Sequence, residues 1–193
     1  PSYDAIEINA AQLANYAAKS QAAGLVPIIE PELLIEGSHT AEEFAETMEL
    51  ILGGVYFALA KAKVHLEGTL LKPQMAMAGL NCPMKHTRSE LVRLTLAFLR
   101  RRVPPAVPGI VFLSGGQSEE DATLNLNSIA RAAGVGKNGD QSQRHLYPWS
   151  LSFSFGRSLQ ASVLHAWASG EGSSKAIEIA GLLARANALA QQG

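Results

Sequence analysis

Four short apolar runs recur along the chain, each bounded by turn-forming or charged residues and separated from the next by a helical stretch. They lie at 25–29, 64–71, 109–113 and 151–155. Strands that alternate with helices predict a parallel sheet, because parallel neighbours need a long crossover and a helix usually supplies it. None of the runs alternates cleanly between apolar and polar, which fits a sheet covered on both faces.

The intervening segments carry helix signals. Residues 3–21 place Ile6, Ala10, Leu13 and Ala17 at helical spacing, and Gly24 follows as a stop. Thr40 with Glu43 and Thr87 with Glu90 form capping boxes, predicting helices over 40–62 and from 87 to the cluster Arg100, Arg101 and Arg102. That cluster suits the negative end of its helix and is assigned no partner. Ser118 caps a helix whose first turn holds Glu119, Glu120 and Asp121. Two more helices are predicted over 158–168 and 175–190. Residues 73–86 and 134–145 read as loops. The order is one helix, then four units of strand, loop and helix.

Parallel α/β sheets carry their sites at the C-terminal ends of the strands. Glu30 and Glu32 follow the first run, Lys72 the second, Ser114, Gly115 and Gly116 the third, and Arg157 the fourth. The topology therefore predicts one shared site. Lys72 stands among Leu70, Leu71, Pro73 and Met75. Burial there would disfavour its charged form, and a neutral lysine can form a Schiff base with a carbonyl. A strand-end lysine reaching to water is the competing reading. Glu30 is the candidate proton donor and acceptor, with turn polarity around Pro31 as the alternative. Ser114, Gly115 and Gly116 lie ahead of a helix N-terminus and offer backbone amides to an anion, with Arg157 as a second phosphate contact or else an exposed arginine.

Sixteen basic and seventeen acidic residues give a net charge of -1, which argues against a nucleic-acid or anionic-membrane surface. No apolar run approaches the roughly 18 residues of a transmembrane helix. A single cysteine, Cys82, excludes an internal disulfide and suits a reducing compartment. His39, His65, His86, His145 and His165 show no metal-ligand spacing with each other or with Cys82. Neither a metal nor a nucleotide fingerprint is found, and Trp149 and Trp167 read as packing residues. Pro1 stands first without an initiator methionine, so the sequence reads as a piece of a longer chain.

Several segments together are highly specific: Gly-Leu-Val-Pro-Ile-Ile-Glu-Pro-Glu ending at Glu32, Leu-Glu-Gly-Thr-Leu-Leu-Lys-Pro ending at Pro73, and Val-Pro-Pro-Ala-Val ending at Val107. Phe-Leu-Ser-Gly-Gly-Gln-Ser-Glu ending at Glu119, Asn-Leu-Asn ending at Asn127, and Ser-Phe-Gly-Arg-Ser-Leu-Gln ending at Gln160 complete the set. Through them the chain strongly resembles the class I (Schiff-base) fructose-1,6-bisphosphate aldolases over essentially its whole length. The resemblance implies a (β/α)8 TIM barrel of which residues 1–193 supply the second half of one domain. It implies Lys72 as the Schiff-base lysine, Glu30 as the general acid and base, and Glu32 in support. Ser114, Gly115, Gly116 and Arg157 would hold a substrate phosphate. Another catalytic aspartate and further lysines would lie in the first half, so activity is expected only with that half present.

The implied reaction is reversible cleavage of fructose 1,6-bisphosphate into dihydroxyacetone phosphate and glyceraldehyde 3-phosphate, without cofactor or metal. The implied partner is a small sugar phosphate, with no nucleic acid and no membrane. The implied setting is a homo-oligomer, tetrameric as is usual in the family, in the cytoplasm or a plastid. Three departures stand out. Gln74 replaces the usual Asn, Phe155 replaces the usual Tyr, and residues 134–145 resemble an insertion. A different Schiff-base lyase or transaldolase on the same barrel is one alternative. The other is a non-catalytic aldolase homologue acting as a structural or scaffolding subunit of an assembly.

Overall fold

The computed structural model describes residues 1–136, 139, 141–170 and 172–193. The three helices whose caps the sequence names begin at those caps. The first helix of the chain, α1 (Tyr3–Ala22), starts with the Ser2 hydroxyl accepting from Ala5 N–H, and the second, α2 (Ala41–Lys61), has the full Thr40/Glu43 box. The Thr87/Glu90 box opens α3 (Arg88–Arg102), and Ser118 caps α4 (Glu119–Ala132). The chain ends in α5 (Arg157–Ala168) and α6 (Ser173–Ala190). Ala10, Ala14 and Ala17 are buried along α1, and their small size lets it lie close to α2. A Cβ on Gly54 of α2 would stand 3.1 Å from the Ile6 side chain.

Four strands pair in parallel in the order of the chain: β1 (Ile28–Ile29), β2 (Leu70–Leu71), β3 (Gly109–Phe112) and β4 (Ser150–Phe153). A doubly wound sheet reverses its strand order at a switch point, whereas a barrel wall adds each strand beside the last. The order seen here is the barrel's. Leu71, Ile110, Phe112, Leu52, Leu59, Phe98 and Leu126 are fully buried where sheet and helices meet.

The first two strands are shorter than the sequence predicts. Leu25 and Val26 are exposed and only Ile28 and Ile29 pair, while Leu66–Gly68 forms a 3-10 turn ahead of β2. The Gln21 side chain closes that turn, donating to His65 O and Gly68 O and accepting from His65 N–H. A side chain from α1 thus meets polar groups that a longer strand would have paired.

Other differences are local. Residues 141–146, which overlap the end of the loop expected over 134–145, form a 3-10 helix, and Lys137, Asn138 and Asp140 of that loop lie outside the described residues. Arg101 and Arg102 both reach Glu49 on α2, so the cluster ties two helices together as well as facing water. Trp149 is buried and donates from Nε1 to Pro104 O at 2.9 Å. Trp167 is exposed, so the packing reading fails for it.

Candidate functional site

Sheet register brings the two principal candidates together. Ile29 faces Leu71, and Lys72 N–H donates to Ile29 O at 2.7 Å, so the next pair across the ladder is Glu30 and Lys72. The Lys72 ammonium nitrogen, Nζ, lies 3.0 Å from Glu30 Oε1, with the lysine side chain 21% exposed and the glutamate 41%. Lys72 is therefore neither stranded in apolar surroundings nor free in water. One proton passing from Nζ to Oε1 across that distance would leave an amine beside a carboxylic acid, the pair that attack on a carbonyl and loss of water require. Glu32 is exposed and forms no ion pair among the described residues. It shares with Glu30 a cavity of about 890 Å³ whose far wall includes Tyr16, Phe44 and Thr47.

The turn after β3 has a different construction. Ser114 is buried, and Gly115 and Gly116 have φ of +56° and +80°, a region where a side chain is strained. Space is tight as well, since a Cβ on Gly116 would stand 2.9 Å from Ile35 Cδ1 and one on Gly115 3.0 Å from Met77 Cε, so these two side-chain ends would have to shift. Neither glycine N–H has an acceptor among the described residues. The position a Gly116 Cβ would occupy is 3.9 Å from Nη2 of Arg157, the first residue of α5. Free amides, the start of α4 and a guanidinium make an arrangement suited to a phosphate.

Polar residues to which the sequence reading gave no individual role hold this turn. Gln117 Nε2 donates to Ser114 O at 2.9 Å, and Gln117 Oε1 accepts from Asn125 Nδ2 at 2.7 Å. Asn125 Oδ1 in turn accepts from Arg88 Nε at 2.9 Å. Ser158 Oγ donates to Gln117 O, which ties the start of α5, and so Arg157, to the same turn. A buried asparagine between Leu124 and Leu126 was the available sequence signal. Its partners lie 8 and 37 residues away, too far for a local pattern to reveal.

His86 closes a smaller cavity of about 180 Å³ that reaches Gln74, Gly115 and Gly116. Its Nδ1 accepts from Ala78 N–H at 3.1 Å. Burial pushes its pKa below the usual histidine value, helped by Lys85 and opposed by Glu90 and Glu42. A histidine held neutral in the fold gives stability that is present above its unfolded pKa and lost as pH falls below it. Glu90, lowered by its bonds to Thr87, loses its contribution only at more acidic pH, below its ordinary value of 4.5. His86→Asn should therefore flatten the dependence of Tm on pH between about 7 and 5. A slope unchanged from wild type would place the sensitivity elsewhere. Among the described residues no group of three or more His, Cys, Asp or Glu side chains could hold a metal.

The family model for class-I fructose-bisphosphate aldolase matches residues 1–193. The chain belongs to that family. Fructose-bisphosphate aldolase C of Macaca fascicularis is 50% identical over 167 residues, covering 86% of this chain and 43% of the relative. Fructose-bisphosphate aldolase A of Salmo salar is 47% identical over 194 residues, covering 100% of this chain and 50% of the relative. The chain thus spans about half the length of the curated aldolases it matches. A solved fructose-bisphosphate aldolase from Plasmodium falciparum, in a ternary co-crystal with TRAP and a small-molecule inhibitor, superposes with a TM-score of 0.90 at 46% identity. The match covers 100% of this chain and 52% of that one. The four sequential parallel strands are accordingly part of an aldolase TIM barrel.

Proposed function

We propose that residues 1–193 carry the imine-forming half of a fructose-bisphosphate aldolase site, and that the whole protein cleaves fructose 1,6-bisphosphate reversibly. The observation that carries this reading is the Lys72–Glu30 pair at 3.0 Å. The neutral Lys72 amine attacks the C2 ketone, and Glu30 as the acid gives its proton to the carbinolamine hydroxyl, which leaves as water. The protonated imine then withdraws electrons as the C3–C4 bond breaks and the C4 hydroxyl gives up its proton. Glyceraldehyde 3-phosphate departs, and the enamine is reprotonated and hydrolysed to dihydroxyacetone phosphate. The iminium supplies the polarisation that a metal gives in other enzymes.

In this reading the base for the C4 hydroxyl is the aspartate that the family resemblance places in the barrel's first half. Glu32 plays a supporting part beside Glu30, while Ser114, Gly115, Gly116 and Arg157 bind a substrate phosphate. A homo-oligomer in the cytoplasm or a plastid is the setting we assign, and sedimentation with fractionation tests it.

Borohydride added with fructose 1,6-bisphosphate to the full-length protein should inactivate it and add mass to the peptide containing Lys72. Mass on another lysine, or none, would overturn the imine reading.

A further inference from the structure

We propose that Gln74 is a positioning residue that fixes how Glu30 meets Lys72, an inference that rests on the imine chemistry above. The argument begins where the β1–β2 ladder stops. Leu70 N–H donates to Pro27 O and Lys72 N–H to Ile29 O. The next rung of a parallel ladder would run from the nitrogen of residue 31 to Lys72 O, and residue 31 is proline, which has no N–H. Backbone pairing therefore ends one residue before the site's glutamate. Residues 30–33 make no backbone-to-backbone hydrogen bond beyond this point among the described residues.

Gln74 takes over there. It is fully buried, and it lies two residues past Lys72 on the same segment. Its Oε1 accepts from Leu33 N–H at 2.6 Å and its Nε2 donates to Leu33 O at 2.8 Å, so one carboxamide pairs with the backbone as a strand would. Glu30 is thus held between two anchors, Ile29 by the last rung and Leu33 by Gln74. Both anchors come from the segment that carries Lys72.

The Glu30 side chain is 41% exposed, and the ion pair alone would not order it well. The Cγ of Gln74 also stands 3.9 Å from where a Gly115 Cβ would be, which brings the same side chain against the phosphate turn. A displacement of about 1 Å at a proton-transfer pair can cost about a hundredfold in rate. A clamp that sets this distance is therefore a control point for the reaction.

The test uses the full-length protein, fructose 1,6-bisphosphate and cyanoborohydride, reading the rate at which Lys72 is trapped together with kcat and KM. Gln74→Met removes both hydrogen bonds at similar length, and should slow trapping and kcat by about 10- to 100-fold while KM changes less than about threefold. Gln74→Glu keeps the acceptor for Leu33 N–H but can donate to Leu33 O only when protonated. Its activity relative to wild type should rise as pH falls from about 7 to 5.

Wild-type trapping at Lys72 with Gln74→Met trapped equally fast would overturn the role of Gln74 alone. Failure to trap wild type at Lys72 would overturn the imine reading itself and the Gln74 proposal with it. Should Gln74→Met not fold, Gln74→Glu decides the matter, because a ratio to wild type that does not change with pH contradicts the clamp.

Discussion

Lys72→Arg in the full-length protein should lose several orders of magnitude in kcat while the protein stays folded and still binds fructose 1,6-bisphosphate. Arginine keeps the positive charge and can remain paired with Glu30, so the electrostatics around the 3.0 Å contact are largely preserved. What disappears is the ability to become a neutral amine, since a guanidinium is not deprotonated in proteins. Without that lone pair no carbinolamine forms, and the sink for electrons from the C3–C4 bond is absent. Steady-state turnover beside equilibrium binding of the bisphosphate separates the two effects. A variant turning over within tenfold of wild type would remove Lys72 from the chemistry. Replacement by methionine would be the poorer experiment, because it also leaves the Glu30 carboxylate without its partner.

Glu30→Gln should cost about 10²- to 10⁴-fold in kcat, the range of a positioned acid or base. Glutamine preserves shape and still accepts a hydrogen bond from Lys72, but it can neither take the ammonium proton nor return it to the departing hydroxyl. The loss should fall on formation of the imine, so trapping at Lys72 slows in proportion to turnover while bisphosphate affinity moves little. A rate close to that of wild type would mean that another group carries the proton. Glu32, two residues on and facing the same cavity, would be the first to examine.

Much of this arrangement is legible in the sequence because its causes are local. Both Thr/Glu capping boxes form as four-residue patterns predict. Strand–helix alternation dictates parallel pairing, and parallel pairing brings every strand end to one rim, so the meeting of Glu30 with Lys72 and of Gly116 with Arg157 could be expected before any coordinates were known. What the sequence conceals depends on partners far along the chain. The run 64–71 looks like one strand because nothing nearby shows that Gln21, 44 residues from His65, will close a turn inside it. Gln74 stands out only as an unusual residue beside the lysine, and its bonds to Leu33 span 41 positions. Trp167 misleads in the other direction, since an aromatic residue at helical spacing suggests burial and this one faces water.

The ladder also bears on how such a chain acquires its shape during synthesis. Ile28 faces Leu70, Leu70 faces Gly109, and Gly109 faces Ser150, so each strand finds its upstream neighbour roughly forty residues back. Parallel sheets usually fold slowly because distant segments must meet before any contact rewards them. Here every step closes a loop of nearly constant and modest length, and the entropy of closing such loops grows only slowly with size. When β2 emerges from the ribosome, β1 has already been made; the same holds for β3 and β4 in turn. The wall can therefore grow by accretion in the direction of translation.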